Sequence, residues 1–380
     1  MRVTQNMLTN SNLSYISKNY ERLAKLQDQI NTGKKITRPS DDPVVAMKGM
    51  RYRSQLTEVK QFYRNLTEGF TWLENTDSAL DETAKVLERV RELVVQASND
   101  TYDSAARGNI AKEIEQLQKH LASVANTKVG ENYIFNGTDI GTAPVKEDSL
   151  FVEFNTFKSD IAASAIDPEN YVVNYQGYTF QYDKDNSTAD KLEYKSTAGN
   201  TITIDITTGD ITHKYTNTSN TTTEERINGD NLAIANKNAI STNTQDFEVE
   251  VMKGVKIPVN VRPQDAFSIE LFSGLESIKK MLVNPDTKGT DITKALESLD
   301  KISNGVVSTR SELGARQNRA ELVENRLQEQ KITAEKTVSD NEDIDFEQAI
   351  IDLITQEGIH RASLAAGARI IQPTLMDFLR

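Results

Sequence analysis

Cysteine is absent from the 380-residue chain. Disulfides, thiolate nucleophiles and cysteine-based metal sites are thereby excluded together. Such a chain also carries nothing that would cross-link wrongly on passing from a reducing to an oxidising compartment. Histidine is nearly absent: His120, His213 and His360 lie in three different regions, with no companion at metal-ligand spacing. No P-loop, GxGxxG or GxSxG string occurs, so neither an enzyme nor a cofactor site is expected. The abundant Asp and Glu carry no weight as a catalytic pair, because any acidic helix sets two near one another. No run of about 18 apolar residues is present, which argues against membrane insertion. The opening MRVTQNMLTNSNLSY lacks a basic head followed by an apolar block and a cleavage site, so no cleaved secretory signal is expected. Basic residues are in deficit, 44 against 56 acidic, for a net charge of −12. That balance opposes nucleic-acid binding, which requires a surplus of cations to neutralise phosphates. The densest basic group, Lys34, Lys35 and Arg38, sits beside Asp41 and Asp42.

Proline is scarce, eight in all, and its spacing divides the chain. None occurs between Pro43 and Pro144, or between Pro285 and Pro373. Interior proline costs a helix about 3 kcal/mol, so long helices belong in those two gaps. In the first gap Val59, Phe62, Leu66, Gly69, Leu73, Thr76, Leu80, Thr83, Leu87, Val90, Val94 and Ala97 step by three and four. That is a seam of coiled-coil grade. From Val59 to Ala97 it predicts a helix of roughly 58 Å. A break at Ser98-Asn99-Asp100 precedes a second helix carrying Ile110, Ile114, Leu117, Leu121 and Val124. In the second gap Leu299, Ile302, Val306, Leu313, Ala320, Val323, Leu327 and Ala334 share one register, with Thr309, Arg316 and Gln330 in the polar slots. A shorter helix, Phe267 to Leu282, comes before it.

The two extremities carry matching patterns. Leu13, Ile16, Tyr20, Leu23 and Ile30 recur at steps of three and four, with Gln27 the one break. Phe346, Ile350, Leu353, Leu364 and Ile371 keep the same step near the end, with Glu357, His360 and Gly367 as weaker members. Stripes of this kind stay unfavourable in water until another helix covers them. Two of them, far apart in sequence, predict a pair that closes the chain on itself or docks onto neighbours.

Between the helical arms, from about Gly137 to Pro263, the chain is rich in Thr, Asn, Asp and Tyr. Alternation in Tyr171–Tyr175, Tyr178–Tyr182 and Thr201–Thr207, bounded by Gly177, Gly199 and Gly209, predicts strands joined by tight turns. Thr216–Glu225 is expected as an exposed loop. Asp183–Glu193 opens like a calcium loop, with Asp183, Asp185 and Ser187 alternating. It lacks the glycine at position six and has Tyr194 at position twelve, so a solvated hairpin tip is expected and no metal site. Asn-x-Ser/Thr strings at Asn186 and Asn217 are what Thr/Asn-rich sequence produces by chance. Trp72 borders the seam and is expected to pack there.

One short string rises above this background: Arg38-Pro39-Ser40-Asp41-Asp42-Pro43. The prolines stiffen the chain and push the residues before them out of helical angles. Asp42 is placed to cap a helix whose first residue is Pro43, where the missing N–H costs nothing. The string is expected to be a defined joint between a terminal-helix layer and a helical rod.

On these residues the chain resembles the flagellin superfamily, and within it the hook-associated protein 3 family of hook–filament junction proteins. MRVTQNML and LQDQINTGKKITRPSDDPVVAMK resemble that family's opening helix and joint; flagellins proper usually show an Asp-Asp-Ala-Ala-type ending there. ENYIFNGT (Glu131–Thr138) resembles its exit from the second arm helix. DIDFEQAIIDLITQEGIHRASLAAGARIIQPTLMDFLR resembles the shared C-terminal helix, here with Pro373 in its tail. The likeness spans about the first 138 and last hundred or so residues, and the middle segment matches nothing specific.

The resemblance implies a structural protein exported unfolded through the flagellar type III apparatus and chaperoned in the cytoplasm at its C-terminal helix. It implies assembly with copies of itself, as an extracellular ring or helical zone, between hook-associated protein 1 and the flagellin filament. The expected fold is mainly α with a β insert. Residues 1–44 with 345–380 form a coiled-coil-like inner layer, 45–136 with 264–344 a rod, and 137–263 an outer β-rich domain. The expected assembly interface is Leu13, Ile16, Leu23, Ile30, Ile350, Leu353, Leu364 and Ile371, to which the tail adds Leu375 and Phe378. Burying an apolar side chain contributes about 1.5–3 kcal/mol, so eight of them offset much of the ordering entropy of the ends, and assembly is coupled to folding. Two other readings fit the same residues: a filament-forming flagellin, and a coiled-coil adhesin or glycan-binding surface protein whose β insert does the binding.

Overall fold

The computed structural model describes residues 5–99, 102–216 and 222–371. The chain is mainly α-helical with a β insert, as the proline spacing predicts. Helices α1 (Gln5–Thr32), α2 (Pro43–Ala97) and α3 (Ser104–Ala125) precede a small hairpin, β1 (Lys128–Val129) and β2 (Asn132–Tyr133). The insert contains β3 (Phe151–Val152), α4 (Phe154–Ala162), β4 (Tyr171–Tyr175), β5 (Tyr178–Tyr182), β6 (Lys191–Ser196), β7 (Thr201–Asp205), β8 (Ile211–Thr216), β9 (Thr222–Ile227) and β10 (Ala233–Asn236). A second hairpin, β11 (Glu248–Met252) and β12 (Val255–Pro258), leads to α5 (Pro263–Ala266), α6 (Ile269–Val283), α7 (Gly289–Glu342) and α8 (Phe346–Ile371). Among the described residues no helix is long and apolar enough to cross a membrane.

Two compact units result: a terminal unit, residues 1–63 with 324–380, and a central unit, residues 64–323. In the central unit the α2 seam is buried from Leu66 to Ala97, including Thr76 and Thr83. Both threonines turn their hydroxyls back onto the helix, Thr76 Oγ1 to Trp72 O and Thr83 Oγ1 to Ala79 O, each at 2.8 Å. A buried hydroxyl satisfied in this way presents its methyl to the core. Leu299, Val306, Leu313 and Ala320 of α7 are buried as well, as are Ile110, Ile114 and Leu121 of α3. Arg310 ties α7 to α2, its Nε donating to Asp77 at 2.8 Å and its Nη1 to Asp81 at 2.5 Å. Asp103 and Ser268 cap α3 and α6, accepting from Ala106 N and Leu271 N.

The insert is built on an eight-stranded antiparallel sheet in the order β3-β10-β4-β5-β6-β7-β8-β9. Phe180, Leu192, Tyr194, Ile202, Ile204 and Ile211 pack on one face, with Phe154 and Phe157 of α4 against them. α6 packs on β10, β4 and β5. β4 is consequently buried at all five positions, which removes the alternation that marks a half-exposed strand. Gln176 and Gly177 both have positive φ, +50° and +78°, at the β4–β5 turn. Two residues of positive φ form the hairpin turn whose twist matches the strands.

Of the segment expected as an exposed loop, Thr216–Glu225, the first residue closes β8 and Thr222–Glu225 open β9, which pairs with β8. Residues 217–221 lie outside the described residues. Asp183–Glu193 connects β5 to β6, and Lys191–Glu193 already belongs to β6. Its Asp183 carboxylate is engaged within the turn, accepting from Asp185 N at 3.2 Å and Asn186 Nδ2 at 3.0 Å. Trp72 packs against Phe247, ring centroids 5.1 Å apart.

Candidate assembly interface

The terminal unit is organised by the antiparallel pairing of α1 with α8. Each helix turns a narrow face of mixed aliphatic, small and polar residues to the other. From α1 this face comprises Asn12, Ile16, Asn19, Leu23, Leu26 and Ile30, all half-buried. From α8 it comprises Ala349, Leu353, Gln356, His360, Ser363 and Gly367. Asn19 Nδ2 donates to Ser363 Oγ at 3.1 Å, and Gln356 Nε2 reaches Asn19 Oδ1 at 3.3 Å. Tyr20 and His360 bring their ring centroids to 6.0 Å. Side-chain amides inside a helical seam fix register at some expense of stability.

The expected apolar stripe therefore divides. Ile16, Leu23, Ile30 and Leu353 lie on the shared seam. Leu13, Ile350 and Leu364 are about half exposed, as are Tyr20 and Phe346. Ile371 ends α8, and Leu375 and Phe378 lie outside the described residues. Sequence periodicity missed three members of the open surface, Ile351, Ile354 and Ile359, which are 57%, 65% and 46% exposed. The signal was present in Ala349-Ile-Ile-Asp-Leu-Ile354, where apolar residues occupy more than one helical face. A helix with two apolar faces belongs between two partners. On a single chain, contiguous apolar exposure of this kind marks an interaction surface.

The joint is built by side chain-to-backbone bonds. The Asp41 carboxylate accepts from Arg38 N at 3.0 Å, Thr37 N at 3.2 Å and Thr37 Oγ1 at 3.3 Å. Those amides, with Lys25 nearby, hold its carboxyl below the usual carboxylate range. Asp42 caps α2, its Oδ1 accepting from Val44 N at 2.9 Å and Val45 N at 3.1 Å, and Pro43 is the first helical residue. Arg38, Pro39 and Ser40 remain exposed, and Arg38 and Pro39 line a shallow groove with Ile36 and Met50.

A second strand of chain, invisible to local reading, completes this joint. Gly33, at φ +67°, ends α1 in the left-handed conformation common just past a helix. Its carbonyl accepts from Ile344 N at 3.0 Å, and Lys35 N donates to Glu342 O at 2.7 Å. Lys34 Nζ lies 2.6 Å from Asp343 Oδ1. The Glu342 side chain is buried and accepts from Arg53 Nε at 3.0 Å and Nη2 at 2.5 Å. This bond raises the Arg53 guanidinium above its ordinary pKa, as Lys34 holds Asp343 below its own. Gly49 leaves room for the carboxylate: a Cβ there would stand 2.6 Å from Glu342 Oε1. The turn after α1 and the turn before α8 are thus one bonded unit. Among the described residues no group of three or more His, Cys, Asp or Glu is placed to hold a metal ion.

Comparison with known proteins places this arrangement. The model of the bacterial flagellin N-terminal helical region matches residues 3–139, and that of the C-terminal helical region matches residues 296–379. Together they span more than half of the chain. The flagellin of Clostridium tyrobutyricum is 25% identical over 342 residues, covering 86% of this chain and 87% of that protein. Flagellar hook-associated protein 3 of Escherichia coli is 29% identical over 149 residues, 39% of this chain and 47% of that protein. The chain thus spans under half the length of that relative. A solved structure assigned as a flagellar hook-associated protein of Vibrio parahaemolyticus has the same fold, with a TM-score of 0.52 at 16% identity, covering 80% of this chain and all of that one.

Proposed function

The chain belongs to the flagellin superfamily, and from that premise we propose that it is a junction protein of the bacterial flagellum. It is a structural component rather than an enzyme. In this proposal it sits outside the cell between hook-associated protein 1 and the first flagellin subunits, as a ring or short helical zone of identical copies. The observation that carries the proposal is the open apolar surface of α1 and α8. Leu13, Ile350, Ile351, Ile354 and Leu364 are exposed in one chain, while among the described residues the seam between the helices buries fully only Ala349 and Gly367.

Helices owe most of their stability to packing an apolar face. A seam in which Ile16, Leu23, Ile30 and Leu353 are only half-buried among Asn19, Gln356 and Ser363 supplies little of that packing. Neighbouring subunits that cover the isoleucines supply the rest, so ordering of the ends accompanies assembly. Export as an unfolded chain, with a cytoplasmic chaperone on the C-terminal helix until export, keeps the same surface from premature association.

Arg38-Pro-Ser-Asp-Asp-Pro43 and the likeness to hook-associated protein 3 favour the junction. The longer match to a flagellin favours a second reading, in which the chain builds the filament itself. Deletion of the gene separates the two. Loss of a junction protein leaves hooks in place and releases intact flagellin monomers into the medium. Loss of a filament subunit removes the most abundant surface protein and releases nothing in its place. Immunogold labelling of wild-type flagella gives a single band at the hook end for a junction protein and continuous labelling for a flagellin.

A further inference from the structure

Within the central unit, a cavity of about 770 Å³ opens between the sheet and the turn from α6 to α7, a volume in the range of small-ligand sites. β8 brings His213 to this cavity. The ring is 4% exposed, and neither of its nitrogens has a hydrogen-bond partner. Aromatic rings surround it: Tyr215 stacked at 5.0 Å, Tyr175 edge-on at 5.3 Å and Phe180 edge-on at 5.8 Å. A buried polar group left unpaired is costly, and each instance in a folded protein calls for an explanation. Glu225 of β9 is the cross-strand partner of His213, so the two side chains stand on one face. Asp291, in the first turn of α7, lines the same cavity and pairs with Lys294 at 2.9 Å. Burial, with Glu225 and Asp291 close by, pushes the Tyr175 hydroxyl up to about 12, so it remains a neutral donor.

The donor and acceptor inventory selects a ligand class. A neutral imidazole offers one donor and one acceptor, a phenol offers both, and the carboxylates only accept. Hydroxyl groups satisfy all three. Flat aromatic faces complement the C–H face of a sugar ring. The charge of the lining is balanced rather than cationic: Glu225, Asp286 and Asp291 stand with Arg226, Lys288 and Lys294, of which Lys294 is paired with Asp291 and Arg226 with Asp210 at 3.6 Å, so an anion meets no net positive charge here. We propose that this cavity binds a short neutral saccharide. Tyr215 is its stacking platform, and His213, Tyr175, Glu225 and Asp291 are its polar contacts. Both ring nitrogens of His213 are sealed in the free chain, so binding includes a shift of Tyr215, half-buried over the imidazole, that opens them to a hydroxyl.

The test uses the full chain labelled with nitrogen-15, with the His213 imidazole resonances followed as maltotriose, triacetylchitotriose or sodium phosphate is added. At least one trisaccharide is expected to give a saturable shift at millimolar concentration, with phosphate giving none. Tyr215→Ala and Asp291→Asn each weaken binding by about tenfold, the equivalent of one good contact. His213→Phe does the same where its circular dichroism shows the sheet intact; the other two variants decide the matter where it does not. Absence of any shift with both trisaccharides up to about 10 mM overturns the proposal, since that ceiling corresponds to only about −2.7 kcal/mol. So does binding that both variants leave unchanged, or saturation by phosphate alone.

Discussion

Ile16 of α1 packs over Gly367 of α8: a Cβ on Gly367 would stand 3.3 Å from Ile16 Cδ1. The missing side chain is what lets the two helices approach. Gly367→Leu forces extra carbons into that contact, and overpacking of this kind costs about 1–3 kcal/mol. The expected outcome is loss of assembly and motility with the thermal unfolding of the central unit unchanged. Ile16→Ala in the Gly367→Leu background restores part of the function. Full motility in Gly367→Leu alone would show that the seam tolerates separation.

A charge on the open face acts differently from one on the seam. Ile350→Asp or Ile354→Asp leaves the α1–α8 pairing residues untouched and is expected to abolish incorporation into flagella. Leu23→Asp and Leu353→Asp, on the seam, abolish it too and also unpair the helices. Because α1 and α8 order only on incorporation, circular dichroism of the dilute monomer is expected to be unchanged in both classes; reduced helicity in the purified seam variants would show that the helices pair before assembly.

The joint depends on a space. Gly49→Ala puts a methyl 2.6 Å from Glu342 Oε1, so the carboxylate must swing away from Arg53. Loss of a hydrogen bond to a buried charged group costs about 1.5–3 kcal/mol. Gly49→Ala and Arg53→Met are expected to lower the stability of the terminal unit by similar amounts. The double variant should lose little more than either alone, as a double-mutant cycle in urea would measure. Additive losses would mean that Gly49 and Arg53 act separately.

His213 makes the central unit sensitive to acid. Burial lowers its pKa from 6.5 to about 4, so the unfolded chain binds the proton first. Its contribution is fully present above pH 6.5 and is lost as pH falls toward 4, amounting to roughly 3 kcal/mol. Asp81 and Asp205, whose carboxyls are held below 3.8 by hydrogen bonds, give way only at lower pH. Urea unfolding between pH 7 and 4 should show a decline that His213→Phe flattens. An equal decline in that variant would assign the acid sensitivity elsewhere.

The helical parts were the most legible in sequence. Leu66, Leu73, Leu80 and Leu87 repeat at seven because one face of α2 is buried and the other wet, and that contrast is written locally. The cap at Asp42 and the turn at Gly177 were legible for the same reason. β4 and β5 were read from Tyr171–Tyr175 and Tyr178–Tyr182 on either side of Gly177, whereas β10, buried at three of its four positions, left no alternation to read. β8 and β9 were obscured by Thr and Glu that suit a loop as well as an edge strand. The seam of the terminal helices was half legible. Periodicity ranks residues by hydrophobicity, whereas the pairing face is chosen by Asn19, Ser363 and Gly367, which are small or polar. Glu342 and Gly49 carried no signal at all, because their meaning lies in a contact across almost three hundred residues.

Hydrogen exchange of the α1 and α8 amides, in the dilute monomer and in isolated flagella, tests the coupling of order to assembly most directly. Rapid exchange is expected along both helices in the monomer, slow exchange once the protein is incorporated, and protection of α2 and the sheet in both states. Protection of α1 and α8 in the monomer equal to that of the central unit would contradict that coupling.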